Sequence, residues 1–315
     1  MLNVTTIGGG SGQPPILIGL VKLFHDLDIK INSVVGTWDN GGSSGKLRDL
    51  YGIMPPGDIL KNIMALTPPE NRNIANALLR RFDRSYSKLY NHNAGNMLLT
   101  ALQQHIGIMP AIRSMETLVG ACGKVYPVTD CDTNLMAEMT RVKAVTVKSE
   151  HDIEERLNAN YKISKLWLEP EQKNMPALDP LKKTNVLIIS PGSIFTSIMP
   201  HFTIEEIRNA CKKIHTKILI ANLVDRQYTT ADYIHAMQIW CGIEPTHMIF
   251  NSIPIRNTEY QTLGYKQLCI DKDCENSNIK FISRPILKLD EKLLRHDPKR
   301  TSAAIMEILS KEKII

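Results

Sequence analysis

Three glycine-containing segments of the sequence have the composition of phosphate-binding turns. They read GGGSG at residues 8–12, DNGGSSG at 39–45 and SPGS at 190–193. Backbone N–H groups at the start of a helix attract an anion, and glycine lets a phosphate approach the backbone closely. Three such turns at one edge of a sheet indicate a diphosphate ligand rather than a single phosphate. The alternative for each segment is a tight turn that binds nothing.

The first two turns depart from the two best-known phosphate-binding motifs. A dinucleotide fingerprint that starts at Gly8 requires a glycine at position 13, where this sequence has Gln13. It also requires an acidic residue about 20 residues further on, at the end of the second strand. Asp39 does not meet this requirement, because it comes later and lies within a glycine-rich segment. The form G-x-x-x-x-G-K-[ST] is also absent, since Asn40 replaces its first glycine and Leu47 its hydroxyl residue. An NAD-dependent redox function is therefore disfavoured.

Two carboxylates near these turns are the candidate catalytic residues. Asp39 opens the second turn, and Asp58 lies in PPGDILKN at 55–62. A carboxylate beside a diphosphate could hold Mg²⁺, which binds to proteins through one or two carboxylates together with substrate phosphates. The alternative for Asp58 is to cap the helix that comes after it. We therefore take Asp39 as the candidate metal ligand and leave the role of Asp58 open.

The elements around the turns predict an α/β protein. LNVTTI at 2–7 is a strand, the next apolar residues recur at helical spacing, and INSVVGTW at 31–38 is a second strand. A strand, turn, helix and strand in succession predict a parallel sheet. We expect a Rossmann-like, three-layer α/β/α sandwich with a mainly parallel sheet and a small antiparallel insertion at about 125–170, all in one nucleotide-binding domain over 1–315. Residues 37–57 are expected to form a long glycine-rich connection.

Composition narrows the classes of partner. The 315 residues carry a formal net charge of +6, too mild and too dispersed to indicate nucleic-acid binding. The six cysteines form no C-x-x-C pair, which disfavours a zinc site. The sequence contains no apolar run of the roughly 18–20 residues that would span a membrane. We expect a soluble, cytoplasmic protein.

Several longer motifs give a specific resemblance. GGGSG, WDNGGSSGKLRDLYGIMPPGDILKN, HNAGNMLLTAL, PGSIFTSIMP and RHDPKR occur in this order from the first strand to the last helix. Together they resemble the CofD/YvcK family, over essentially the whole chain. That family includes 2-phospho-L-lactate transferases and the YvcK-type proteins known as gluconeogenesis factors, and the PPGD-containing run is more similar to the YvcK-type branch.

The resemblance implies a set of binding residues. The family's second turn usually reads A-D-D-G-G-S-S-G, so Trp38 and Asn40 depart from it, and the amide at Asn40 weakens a metal site that needs two carboxylates. Tyr265 and Arg295 are similar in placement to an aromatic residue and an arginine that the YvcK branch uses for a UDP-sugar. The nucleotide- and phosphate-binding residues implied are Gly8, Gly9, Gly10, Ser11, Gly12, Asp39, Asn40, Gly41, Gly42, Ser43, Ser44, Asn62, Asn96, Gly192, Ser193, Tyr265 and Arg295.

The resemblance implies two alternative functions. The first is a UDP-sugar-binding regulator of the YvcK type, linked to cell-envelope and carbon metabolism and to cell shape. The alternative is a Mg²⁺-dependent, CofD-like transferase that moves a phosphoryl-linked group from a nucleoside diphosphate to a hydroxyl. The resemblance also allows a homodimer. The identity of the base and sugar, and whether any reaction is catalysed, stay open at this point.

Overall fold

The computed structural model of the chain describes most of its residues. The described ranges are 1–24, 27–83, 85, 89–170, 174–256, 258–270, 274, 277–288 and 293–315. None of the helices in these ranges is both long enough and apolar enough to cross a membrane.

The strands fall into three sheets, numbered here in chain order. They are β1 (Leu2–Gly8), β2 (Ile29–Val35), β3 (Gly123–Pro127), β4 (Asn134–Thr140), β5 (Ala144–Lys148), β6 (Lys162–Glu169), β7 (Val186–Ile189), β8 (Thr216–Ile220), β9 (Val224–Asp225), β10 (His247–Asn251), β11 (Lys266–Gln267) and β12 (Lys280–Arg284).

The helices begin where their sequences provide suitable first turns. Pro14 and Pro15 lie in the first turn of the first helix, where a missing N–H costs little. Asp297 caps the last helix by accepting a hydrogen bond from the Arg300 N–H at 2.8 Å. The helices are α1 (Gln13–Leu23), α2 (Gly42–Tyr51), α3 (Pro56–Ala65), α4 (Arg72–Leu79), α5 (Ala94–Ile106), α6 (Ile108–Val119), α7 (Glu150–Asn158), α8 (Leu178–Lys182), α9 (Met199–Phe202), α10 (Glu205–Lys212), α11 (Thr230–Ile239), α12 (Thr258–Thr262) and α13 (Pro298–Lys311), with a 3₁₀ turn at Pro69–Asn71 and a π-helix at Ile194–Ile198.

The main sheet is parallel, as the sequence predicts. Its seven strands lie in the order β12-β10-β8-β7-β1-β2-β3, and every pairing between neighbours is parallel. The residues at the ends of the central strands are in register, with Ile7 beside Ile189 and Gly8 beside Val35. Because all seven strands point the same way, the turns at their carboxyl ends gather at one edge.

Helices cover both faces of this sheet, which gives the expected three layers. Successive residues of a strand point to opposite faces, so Leu187 and Ile189 enter one core and Ile188 enters the other. The core around Ile188 contains α1, α3, α6 and α13. The opposite core contains α10, α11 and the antiparallel sheet β5-β4-β6. Apolar strands buried on both faces are typical of parallel sheets.

The antiparallel sheet occupies a shorter range than the sequence predicts. It extends from Asn134 to Glu169, whereas Gly123–Pro127 pairs with β2 in the main sheet. Arg48 of α2 joins the start of β4 to the rest of the molecule. Its guanidinium donates to the Thr133 carbonyl at 2.8 Å and pairs with Asp132 at 2.6 Å. The antiparallel sheet is therefore anchored through a buried arginine.

The expectation of a continuous loop over 37–57 is wrong in its centre, because Gly42–Tyr51 forms helix α2. Leu47 and Arg48, which come after the glycines, are buried in the fold, and this packing outweighs the low helix propensity of the glycines. Gly52 ends the helix in the left-handed conformation, with φ of 60°. Ser43 and Ser44 consequently lie in a helical first turn and not in a loop.

We predict that Arg48→Met lowers the free energy of unfolding by about 1–3 kcal/mol, because hydrogen bonds to a buried charged group are lost. Urea denaturation measures the change. Lys46→Met, an exposed position on the same helix, is the matched control and should change stability by less than about 0.5 kcal/mol. Equal stability of the two variants would show that the arginine does not anchor the sheet.

Candidate functional site

The turns after β1 and β7 lie side by side at the carboxyl edge of the sheet. The chain continues from β1 to β2 on one side and from β7 to β8 on the other, so these neighbours form the topological switch point. Gly12 is so close to Pro191 that a Cβ at position 12 would lie 1.9 Å from the Pro191 carbonyl oxygen. Open α/β sheets bind ligands in the crevice at this point.

A carboxylate from α3 is bonded to the first glycine turn. The Gly10 N–H donates to Asp58 Oδ2 at 2.8 Å, and Lys61 Nζ lies 3.0 Å from Asp58 Oδ1. A Cβ at position 10 would lie 1.9 Å from the Asp58 carboxylate, so only glycine allows this approach. The alternative role of Asp58 as a helix cap is wrong, because the cap position belongs to Pro55.

A large cleft of about 700 Å³ opens on one side of the glycine turn. This volume is within the usual range for small-molecule sites. Four cationic side chains line it, and the described lining residues include no Asp or Glu. His296 also lines the cleft, but it is neutral because burial lowers its pKa to about 4. The cationic residues are Lys61, Arg72, Lys288 and Arg295. The cleft is therefore suited to an anion.

The walls of this cleft are mostly apolar and come from several elements. Residues 10–12 and 191–192 are part of the lining, and Asn222 joins them by accepting the Gly192 N–H at 2.8 Å. The remaining lining residues are Pro14, Pro15, Ile18, Met64, Ala65, Ala75, Asn76, Leu79, Leu223, Val224, Tyr260, Leu293, Leu294 and Pro298. An apolar wall with a few polar groups is typical of cofactor and nucleotide sites.

A second, much smaller cleft lies on the other side of the turn, at Gly9. Its volume of about 10 Å³ is at the lower limit of what holds one water molecule. It is lined by Gly9, Gly36, Trp38, Asp39, Asp58, Glu150, Thr196 and Ser197. Thr196 and Ser197 belong to the π-helix, a rare element that often occurs at functional sites. Because carboxyl groups line the small cleft and cationic side chains line the large one, the two clefts have opposite electrostatic character.

Two of the acidic groups in the small cleft, Asp39 and Glu150, have raised pKa values. Burial, followed by the Asp58 charge, raises the pKa of Asp39. Burial and then the charges of Asp39 and Asp58 raise the pKa of Glu150 to about 8. Burial opposes the charge of Lys61, but the Asp58 and Asp39 carboxylates outweigh it and raise the pKa of that ammonium group. Carboxyl groups with raised pKa values in a cleft are typical of functional sites.

The same residues are not a preformed metal cage. Within the described ranges, no three His, Cys, Asp or Glu side chains are grouped closely enough to hold a metal ion. The donor set of Asp39 and Asp58 still fits Mg²⁺ in its usual protein mode, in which substrate phosphates complete the coordination. Asn40 does not contribute, since its Oδ1 accepts the His151 N–H at 3.4 Å.

Trp38, the first of the two residues that depart from the family's usual second turn, has a structural role. Its side chain is 3% exposed, and its Nε1–H donates to the Thr196 carbonyl at 2.8 Å. Its ring packs edge-on against His201, with centroids 4.8 Å apart. Trp38 therefore ties the end of β2 to the π-helix and closes one wall of the small cleft.

The structure divides the residues implied by the resemblance into three groups. Gly10, Ser11, Gly12, Gly192 and Arg295 line the large cleft. Gly9 and Asp39 line the small one, together with Asp58. The others support these walls from behind or lie beside them. They are Gly8, Asn40, Gly41, Gly42, Ser43, Ser44, Asn62, Asn96, Ser193 and Tyr265.

Several members of the third group make internal hydrogen bonds. Ser43 contacts His92 Nδ1 at 2.8 Å and accepts from Asn96 Nδ2 at 3.2 Å. Asn62 donates to the Asp58 carbonyl at 2.8 Å. The Gly41 N–H donates to Asp39 Oδ1 at 2.9 Å, which fixes that carboxylate. These residues position the acids and the turn without facing either cleft.

Tyr265 packs against the large cleft from outside it. The ring that lines the cleft is Tyr260, and Tyr265 contacts it edge-on with centroids 5.6 Å apart.

Sequence reasoning missed Tyr260, Lys61, Arg72, Asn222 and Glu150. Asn222 could have been predicted from the sequence, because it follows a buried strand, as the glycine turns do. Glu150 had none, because α7 reaches the cleft only through the folding of the antiparallel sheet.

Comparisons with known proteins agree with this architecture. The family model described as 2-phospho-L-lactate transferase CofD matches residues 4–287. A protein of Listeria innocua named gluconeogenesis factor is 30% identical, over 98% of this chain and 95% of that protein. The gluconeogenesis factor of Bacillus subtilis is 27% identical, over 98% of each. A crystal structure of a UPF0052 family member from Bacillus halodurans superposes with a TM-score of 0.87 and 28% identity, covering 97% of this chain and all of that one.

We predict that Glu150→Gln stabilises the protein relative to the wild type at pH 8 and above but not at pH 4.5. The folded chain keeps the Glu150 proton up to about pH 8, whereas the unfolded chain releases it near pH 4.5. Wild-type stability from this group therefore falls as pH rises between these values. Urea denaturation across pH 4.5–9 measures the difference. Glu155→Gln, an exposed position on α7, is the control. A pH-independent difference would contradict the assignment.

Proposed function

The chain belongs to the CofD family, and we propose that it is a regulator that binds a nucleoside diphosphate sugar, of the UDP-sugar kind, across the carboxyl edge of its parallel sheet. The observation that carries the proposal is the large cleft at the switch point, with four cationic side chains and no carboxylate among its described lining residues. A diphosphate carries the complementary charge, and a nucleoside supplies apolar ring surface for the walls. The relatives over the full chain are named gluconeogenesis factors, a name that does not describe a transferase and is compatible with a regulatory role.

The diphosphate is assigned to the part of the cleft that the two glycine turns line. Gly10, Gly12 and Gly192 allow close approach there, and the start of α1 adds a partial positive charge. Arg295 lies in the same lining and can form paired hydrogen bonds with phosphate oxygens. Tyr260, held by Tyr265, offers a ring face on which a base can stack. The nucleoside would then extend toward residues 260 and 293–296.

A second candidate function is favoured by the small acidic cleft. A CofD-like transferase would transfer a phosphoryl-linked group to a hydroxyl, with release of the nucleotide. Asp39 and Asp58 line the cleft next to the glycine turn, where they could hold Mg²⁺ against the phosphates or accept the proton of the hydroxyl. Mg²⁺, when bound, would offset the charge that develops on the leaving nucleotide.

We predict that Arg295→Ala weakens the binding of UDP and UDP-glucose about ten- to a hundredfold, because charge-assisted hydrogen bonds are worth roughly 1.5–3 kcal/mol. Asp39→Ala should leave binding in EDTA unchanged or slightly tighter, because a carboxylate repels the phosphates. Calorimetric titration with EDTA and then with Mg²⁺ measures both. Arg141→Ala, an exposed position outside the cleft, is the control.

The same titrations separate the two candidate functions. In a regulator, loss of Asp39 is tolerated and loss of Arg295 is not. In the transferase, Asp39→Ala abolishes Mg²⁺-dependent binding and turnover. If neither UDP nor UDP-glucose binds the wild type at millimolar concentration, the nucleotide-sugar proposal is wrong.

We also predict that Tyr260→Ala weakens UDP binding more than Tyr265→Ala does. Stacking on an aromatic ring contributes about 1–3 kcal/mol per base in nucleic-acid complexes, and Tyr260 lines the cleft while Tyr265 supports it from behind. Tyr260→Phe should retain most of the affinity because it keeps the ring. A larger loss for Tyr265→Ala than for Tyr260→Ala would mean that the base binds elsewhere.

A further inference from the structure

A row of hydrogen-bonded side chains connects the glycine turn after β7 to β9 and α11. Asn222 holds the Gly192 peptide at two points, because Oδ1 accepts the Gly192 N–H at 2.8 Å and Nδ2 donates to the Gly192 carbonyl at 3.0 Å. Nδ2 also donates to the Tyr233 hydroxyl at 2.7 Å, and that hydroxyl lies 2.8 Å from Asp225 Oδ2. Gly192 and Asn222 line the large cleft, whereas Tyr233 and Asp225 are not among its described lining residues.

Asp225 sets the direction of these hydrogen bonds. A carboxylate can only accept, and Asp225 Oδ1 accepts the backbone N–H groups of Gln227 at 2.8 Å and Tyr228 at 2.9 Å. The Tyr233 hydroxyl has a single proton, and its other acceptor, the Gly192 carbonyl, is farther away at 3.3 Å. The closer and charged acceptor takes the proton, so Tyr233 donates to Asp225.

This direction determines how the Asn222 amide is oriented. Because the Tyr233 proton points to Asp225, the Tyr233 oxygen is left to accept, and the group that faces it must be the amide NH₂. The Asn222 oxygen then faces the Gly192 N–H. A reversed amide would place two carbonyl oxygens against each other and two N–H groups against each other. One carboxylate thus specifies the amide orientation that matches the Gly192 peptide.

Tyr233 is well suited to keep its role as a donor. Its side chain is 1% exposed, and burial, followed by the charge of Asp225, raises the pKa of its hydroxyl. The hydroxyl therefore retains its proton. A peptide that is bonded at both its N–H and its carbonyl has little freedom to rotate, so the turn keeps its place in the cleft wall.

We propose, on the basis of the nucleotide-binding function above, that Tyr233 and Asp225 are positioning residues for the large cleft and act through Asn222 on the Gly192 peptide. They hold the turn in its binding orientation before a ligand arrives. Ordering a loop during binding reduces affinity, and a turn that is already fixed avoids this cost. The inference concerns how the wall is held, and it is independent of which base or sugar the cleft takes.

Calorimetric titration with UDP tests the proposal through a double-mutant cycle. Tyr233→Phe removes one hydroxyl and should weaken UDP binding about three- to tenfold, the effect of one lost hydrogen bond. Asn222→Ala should weaken it further. Because Tyr233 acts through Asn222, adding Tyr233→Phe to Asn222→Ala should change the affinity by less than about twofold. Tyr228→Phe, at the residue whose N–H bonds the same carboxylate, is the control and should bind UDP as the wild type does.

Amide hydrogen exchange of the ligand-free protein separates positioning from a general loss of stability. In Tyr233→Phe, the Gly192 N–H should exchange about three- to tenfold faster relative to the Ile189 N–H of β7, which lies outside the network. An equal acceleration of the two amides would mean that the hydroxyl only stabilises the fold, and the positioning role would be wrong.

The outcomes distinguish this inference from the function on which it rests. If the wild type binds UDP and Tyr233→Phe binds it equally well, the positioning role is wrong and the nucleotide site stands. The role is also wrong if the losses from Tyr233→Phe and Asn222→Ala multiply in the double variant, because Tyr233 then acts by another route. If the wild type binds no UDP at millimolar concentration, the nucleotide function fails and the inference fails with it. If Asn222→Ala does not fold, Asn222→Ser, which also lacks the amide, replaces it in the cycle.

Discussion

The hydrogen bond from the Gly10 N–H to the Asp58 carboxylate, 2.8 Å long, joins the first turn of α3 to the glycine turn after β1. It places one carboxylate at the boundary between two clefts of opposite charge. On one side Lys61 pairs with Asp58 and faces the basic cleft, and on the other Asp39 and Glu150 share the acidic cleft with it. The basic and the acidic cleft therefore meet at the Asp58 carboxylate.

The parallel sheet is what makes this arrangement stable. Every strand of the main sheet ends at the same edge, and cores on both faces hold the strands in register. Burial of this apolar surface supplies the main stabilisation. It can offset local costs at the site, such as three carboxyl groups close together and Ser149 at a φ of 92° immediately before Glu150.

The antiparallel sheet gives the site its third component. Arg48 attaches its start to α2, and α7 packs on its strands and presents Glu150 to the acidic cleft. The packing of this sheet therefore determines the position of Glu150, whereas Asp39 and Asp58 are held by β2 and α3. Glu150 thus reaches the acidic cleft from an element, α7, that contributes nothing to the described lining of the basic cleft.

The residue pattern was sufficient to predict the parallel α/β architecture, since a glycine turn between a strand and an apolar helix allows few other folds. It also located the turns at 8–12 and 190–193. Asp39, Asp58 and Arg295, which lie within or next to recognisable motifs, line the two clefts. Which groups face a ligand depended instead on tertiary packing. Tyr260 rather than Tyr265 lines the basic cleft, the second glycine segment continues as α2, and Arg72 and Glu150 reach the site from helices distant in sequence. A motif specifies local backbone geometry, whereas exposure to a cleft depends on how separate helices pack against one another.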